Sequence, residues 1–150
     1  MHAPLHRIHC RNMLGEGPAW CPEEQALWWI DVHEPSLWKW DFASGATQRW
    51  PLPRPPGTFA LLEGGGLLLL FRSRIAIFDP ESAALRWLAL PGLSLSEERL
   101  NDGKVDRQGR LWVGTLDRAL TRPLGQLRRA GPGLDFAAID MGAMASQLGV

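Results

Sequence analysis

Ala26-Leu27-Trp28-Trp29-Ile30-Asp31, a break at Glu34-Pro35-Ser36, then Leu37-Trp38-Lys39-Trp40-Asp41 and the turn Ala43-Ser44-Gly45 form the stretch that decides the fold, because its order recurs. The polar turn Glu23-Glu24-Gln25 leads into it, and a third strand, Thr47 to Leu52, follows it. The same order returns as Glu63-Gly64-Gly65-Gly66, Leu67 to Phe71, Arg74-Ile75-Ala76-Ile77-Phe78-Asp79, the turn Pro80-Glu81-Ser82 and Leu85 to Leu90. It returns once more as Arg107-Gln108-Gly109 and Arg110-Leu111-Trp112-Val113-Gly114, with Gln126-Leu127-Arg128-Arg129 as the partner strand. Strand-rich units repeating at roughly forty residues mark the blades of a β-propeller.

Local patterning agrees with strands. Leu37-Trp38-Lys39-Trp40 alternates with period two, and Ile75 and Ile77 fall on one face of their strand. The continuous apolar runs Leu27 to Ile30 and Leu67 to Phe71 predict inner strands covered on both faces. Helical periodicity is weak; Ser94 to Leu100 is the one segment that suits a short helical turn. A β-sandwich also uses many short strands, but the repeated order of Gly turn, strand, strand and Asp turn favours the propeller. Propellers close with about four to eight blades. Three to three and a half are counted here, so the reading is a single partial propeller domain over residues 1–150 with open strand edges.

Composition narrows the function classes. The 150 residues are 45% hydrophobic and 21% charged, as in ordinary globular proteins. Sixteen basic and sixteen acidic residues cancel, which removes the bulk electrostatic drive toward nucleic acid. No apolar stretch has the length of a signal peptide or of a membrane span, so no membrane partner is expected. Cys10 and Cys21 are too few for a disulfide framework; they are expected to be free thiols in a cytoplasmic setting, unless strands bring them together.

Two clusters carry chemistry. Leu14-Gly15-Glu16-Gly17-Pro18-Ala19-Trp20 sets a lone carboxylate between glycines just ahead of a strand, a place suited either to a channel mouth or to a solvated turn. Arg99-Leu100-Asn101-Asp102-Gly103-Lys104-Val105-Asp106 runs into Gly109-Arg110-Leu111-Trp112-Val113-Gly114-Thr115. A guanidinium can fork onto carboxylate or hydroxyl oxygens, and an amide both donates and accepts toward sugar hydroxyls. By itself Asn-Asp-Gly is also an ordinary turn signal. Asp31-Val32-His33-Glu34 is weaker: Asp31 would cap a strand or line the channel, and His33 with Glu34 reads as a surface loop rather than a metal site. The eight Trp read as packing between blades rather than as a stacking platform.

These two clusters resemble the LGEGP-x-W opening and the R-x-NDGK-x-D-x-x-G-R-x-W-x-GT motif of the senescence-marker-protein (regucalcin)/gluconolactonase/luciferin-regenerating-enzyme-like family. The resemblance runs from about Leu14 to about Ser146. It implies an all-β, six-bladed propeller that hydrolyses sugar lactones to aldonic acids in carbohydrate metabolism, with a divalent cation, calcium or zinc. It further implies Glu16 as a metal ligand, Arg99 and Asn101 as substrate-binding residues, and Asp102 as a group that orients Asn101 or supports the metal's ligands.

The match has gaps. A substrate-contacting Glu of the family falls near Ala119, leaving Asp117 or Arg118 as replacements. Met144-Ala145-Ser146-Gln147-Leu148-Gly149-Val150 stands where the family has V-S-N-G-L-x-W; the ligand Asn is absent and Gln147 lies nearest its place. The family's general-base Asp would fall in a second half, so no catalytic residue is assigned within these 150 positions. Nor does Met141 to Val150 read as a strand closing the ring. The expectation is a fragment of a lactonase, weakly active or inactive alone, that binds a small sugar lactone and self-associates through open blade edges. The competing reading is a non-catalytic propeller-like binding module.

Overall fold

The computed structural model describes residues 6–89, 95–131 and 133–139. Among them are twelve strands and no helix, arranged as three four-stranded antiparallel sheets. The first holds β1 (Gly15–Cys21), β2 (Ala26–Asp31), β3 (Ser36–Asp41) and β4 (Thr47–Pro51). The second holds β5 (Pro56–Leu61), β6 (Leu67–Phe71), β7 (Ile75–Asp79) and β8 (Ala84–Leu88). The third holds β9 (Glu98–Val105), β10 (Leu111–Asp117), β11 (Leu127–Ala130) and β12 (Phe136–Ile139). Each sheet pairs its strands in sequence order, as the blades of a propeller do.

The connections explain the strand lengths. Asp41 accepts hydrogen bonds from the amide and hydroxyl of Ser44, and Asp79 from the Glu81 amide and the Ser82 hydroxyl. Such Asx turns offer the backbone a local alternative to the ladder and so end the strands. The repeated Asp turn of the sequence is therefore a repeated strand terminator.

The blades stack through two apolar layers. Trp28, Ile30 and Leu37 of the first blade meet Phe59, Leu67, Leu69, Phe71 and Phe78 of the second. On the other face of the second blade, Leu68, Leu70 and Ile75 meet Leu100, Leu111 and Val113 of the third. Strand β6 thus alternates between two cores, which is why Leu67 to Phe71 is apolar at every position. Each of these side chains contributes roughly 2 kcal/mol through burial, so β6 is the strand least tolerant of polar substitution.

One expectation fails. Ser94 lies outside the described residues, but Leu95 to Glu97 are not helical and Glu98 to Leu100 open β9. The Leu100 amide donates to the carbonyl of Arg72 in the second blade at 2.9 Å, and its side chain is fully buried. A contact between blades has overridden a weak local helical pattern. Cys10 and Cys21 are free, and no helix among the described residues is long and apolar enough to cross a membrane.

Candidate functional site

The first strand of each blade lies nearest its counterparts. The carbonyl oxygen of Asn101 comes so close to Gly57 that a Cβ there would stand 2.7 Å from it. Thr58 donates its hydroxyl to the carbonyl of Gly103 at 3.1 Å. A Cβ on Gly17 would stand 3.7 Å from the Phe59 ring. Strands β1, β5 and β9 therefore run side by side in one direction, with a groove of about 200 Å³ between them.

All three carry the same irregularity. On β1, Glu16 pairs with Ile30 and Ala19 with Trp28, so Gly17 and Pro18 together oppose Trp29. On β5, Gly57 is the extra residue between the Pro56–Phe71 and Thr58–Leu70 pairs. On β9, Asn101 and Asp102 together oppose Gly114, between the Leu100–Thr115 and Gly103–Val113 pairs. A bulge adds one residue, bends its strand and re-aims a side chain. Each inner strand thus breaks its ladder near its start, at Glu16-Gly17, Gly57 and Asn101-Asp102.

Glu16 sits inside β1 rather than ahead of it, and it is exposed. The segment before it is held by Asp31, which is 1% exposed. The Asp31 carboxylate accepts hydrogen bonds from the amides of Met13, Leu14, His33 and Glu34 and from the side chain of Asn12. Burial raises its pKa, but these donors outweigh burial and hold it below the ordinary carboxylate value. Asp31 therefore anchors the backbone and does not line the groove. His33 and Glu34 form an exposed turn, with Glu34 3.9 Å from Arg49.

On β9, Arg99 is half-buried and Asn101 and Asp102 are exposed. The Asp102 carboxylate accepts the Gly103 amide at 2.7 Å, a bond that steadies the bulge itself. Burial, with the guanidinium groups of Arg72 and Arg118 nearby, draws the Arg99 pKa below its ordinary value. Of the two replacements considered for the missing Glu, Asp117 is engaged elsewhere. It is 3% exposed and accepts bonds from Thr121 and Arg122, which hold its pKa down at about 2. Arg118 instead donates its guanidinium to the carbonyls of Leu95 and Glu98 at 2.6 and 3.3 Å. The sequence reading missed Arg72, whose carbonyl accepts the Leu100 amide across two blades.

The remainder of the long motif is scaffold. Asp106 accepts bonds from the Arg110 side chain, the Trp112 indole and the amides of Gln108 and Arg110, and Gly109 closes the turn at φ +73°. A roomier hollow of about 510 Å³, lined by Cys21, Glu24, Trp28 and Gly64–Gly66, lies at the opposite end of these strands from Glu16 and Arg99. Gln147 and the segment Met141 to Val150 lie outside the described residues.

The comparison with known proteins turns on these same strands. Residues 14–146 match the model of the SMP-30/Gluconolactonase/LRE-like region. The chain belongs to the SMP-30/gluconolactonase/LRE-like family. Its relatives include a 6-deoxy-6-sulfogluconolactonase of Pseudomonas putida, 37% identical over 79% of this chain and 40% of that protein. An L-arabinolactonase of Azospirillum brasilense is 33% identical over 75% of this chain and 38% of that protein. A solved structure, the calcium-binding protein regucalcin from Agrobacterium tumefaciens, superposes with a TM-score of 0.73 and 25% identity over 85% of this chain and 43% of that one. The chain spans about two fifths of the length of these relatives. Its three sheets are propeller blades of the SMP-30/gluconolactonase kind.

A divalent cation is the family's implied cofactor, and the described residues do not by themselves fit one. No three His, Cys, Asp or Glu side chains converge among them. Calcium takes six to eight oxygen ligands and zinc usually four ligands; Glu16 supplies one carboxylate.

Proposed function

We propose that this chain forms one wall of the active site of a sugar-lactone hydrolase, which opens aldono-lactones to aldonic acids. The observation that carries the proposal is the bulge at Asn101-Asp102 on an inner strand, which sets Asn101 against the start of β5 in a family with named lactonases. Ring opening places negative charge on the lactone carbonyl oxygen as water attacks, and the ring oxygen leaves as a hydroxyl. The Arg99 guanidinium is suited to hold that oxygen, and the Asn101 amide to hold a ring hydroxyl, so that positioning adds to the rate. Glu16 is assigned as one carboxylate ligand of a calcium or zinc ion. The free thiols of Cys10 and Cys21 suit a reducing, cytoplasmic compartment.

Two measurements on the 150-residue chain test this reading. The stable cyclic polyol 1,5-anhydroglucitol should shift the backbone amide resonances of Arg99 and Asn101 saturably, at millimolar concentration, and Asn101→Ala should abolish the shift. Shifts absent from β9 would favour the binding-module reading. Hydrolysis of glucono-1,5-lactone should not rise above the metal-free rate when calcium or zinc is added. Robust turnover lost in Glu16→Ala would overturn the claim that these residues are catalytically incomplete.

A further inference from the structure

The three blades leave two open faces, one at each end of the set, and the two differ in chemistry. Cross-strand pairing fixes what each face holds. In the first blade Trp20 pairs with Leu27, Leu27 with Trp40, and Trp29 with Trp38, so these side chains share the face turned away from the second blade. Trp20 and Phe42 meet edge-on there, and both are exposed. In the third blade Trp112 pairs with Lys104 and Arg129, and Leu116 with Arg99, on the face opposite to that of Leu111 and Val113. The guanidinium groups of Arg110 and Arg129 lie 5.7 and 5.8 Å from the centre of the Trp112 ring. Arg110 pairs with Asp106, whereas among the described residues no ion pair reaches Lys104 or Arg129. One end face is therefore aromatic and the other cationic.

These faces complement each other better than either complements itself. A guanidinium is drawn to the face of an aromatic ring and is weakly hydrated, so it enters interfaces readily. Two cationic faces repel, and two aromatic faces brought together leave the cations without partners. Size agrees with such a pairing. The three blades superpose on 43% of the regucalcin chain of Agrobacterium tumefaciens, so two copies account for most of one ring of that kind. Head-to-tail contact closes where the rotation between copies completes a turn, and two sets of three blades fall within the about four to eight that propellers use.

We propose that two copies of this chain close head-to-tail into one ring, with the aromatic face of each first blade seated on the cationic face of the other copy's third blade. Each junction repeats between copies the contact that β5 and β9 make within one copy, where the Asn101 carbonyl meets Gly57. Arg99 lies on the cationic face, so the junction brings the start of β1 of the other copy, which carries Glu16, to its side. The wall described above then has its neighbour in a second copy. The pairing needs only the two end faces and is independent of the lactonase reading.

Sedimentation equilibrium of the 150-residue chain tests the ring. The mass should rise with concentration and stop at two copies. Trp20→Lys and Arg129→Glu should each weaken pairing by roughly tenfold or more, with a cooperative thermal melt showing that each variant folds. Mixed together, the two variants should pair again, because one junction is then unaltered and the other sets opposite charges face to face. Lys104→Glu, at an exposed position on the same face as Trp112, takes the place of Arg129→Glu if that variant does not fold. Pairing of Arg129→Glu as tight as that of the parent would overturn the proposal in favour of two first blades meeting. A mass that grows past two copies would show that the contact does not close, and would overturn the ring. A monomer at every concentration, or a mixture that pairs no better than its components, would overturn it too.

Discussion

Asp31, Asp106 and Asp117 show how residues of one type divide between site and scaffold. Each lies in or beside a motif that invites a catalytic reading, yet each spends its oxygens on backbone amides and neighbouring side chains. A carboxylate ringed by donors stays ionised, and its ionisation is linked to folding. Asp117 makes the linkage testable, since its pKa is held at about 2 against an ordinary 3.8, chiefly by the Thr121 amide and the Arg122 side chain. A pKa depressed in the folded state gives stability that is present above the unfolded value and lost as pH falls through the folded one. Asp117→Asn should therefore melt at a lower temperature than the parent at pH 7. The gap should close as pH is lowered from about 4 to about 2, as thermal melts in steps of pH will show. A gap that stays constant across that window would exclude this role for Asp117.

Among the elements, the inner strands carry the site through their bulges, and the bulges depend on glycine. Gly57 is the extra residue of β5, and the Asn101 carbonyl occupies the space a side chain would need. Gly57→Ala would force β5 and β9 apart where Asn101 is presented. The expected loss is about 1–3 kcal/mol, the usual cost of overpacking, together with altered amide shifts at Asn101 and Asp102. Gly114→Ala is the matched control, because its Cβ would stand at an ordinary 3.8 Å from the Asp102 carbonyl oxygen. Equal destabilisation by the two substitutions would refute the close approach. The bulges also mark the limit of what the sequence discloses. The strands were legible because period-two alternation and Asp turns are local signals, and Gln126 to Arg129 was correctly read as the partner of Leu111 to Gly114. Register is not local. Nothing in Arg99-Leu100-Asn101-Asp102 says that two of these residues oppose one glycine, or that the Leu100 amide finds the Arg72 carbonyl. The family motif marked the right segment; the neighbouring blade decides where it sits, through the close approach of Asn101 to Gly57 and the bond from the Leu100 amide to the Arg72 carbonyl.

For the molecule as a whole, the arrangement of cores leaves the blades unequal. The second blade is covered on both faces, whereas the first buries one face against it and turns the other outward. On that face Trp29 stacks on Trp38 and is buried, with its indole donating to Asn12; Trp20 and Trp40 meet the ring of Phe42 edge-on, and His6 packs against Trp40 and Phe42. Trp20 is 43% exposed and Phe42 49%. The third blade differs: the guanidinium groups of Arg110 and Arg129 lie over its Trp112, and Asp106 accepts the indole proton. A patch of large aromatics is a site for association, and a blade face is shaped to receive another sheet. The 150-residue chain should therefore associate through its first blade, with a sedimentation coefficient that rises with concentration at micromolar levels. Trp20→Lys should lower that association at least severalfold while leaving the thermal melt little changed, because Trp20 is half-exposed and lies outside both cores. A Lys on the third blade, in place of the exposed Val105, should have no such effect. A concentration-independent monomer with a cooperative melt would show that the aromatic face is stable in water, and that the open first blade needs no partner.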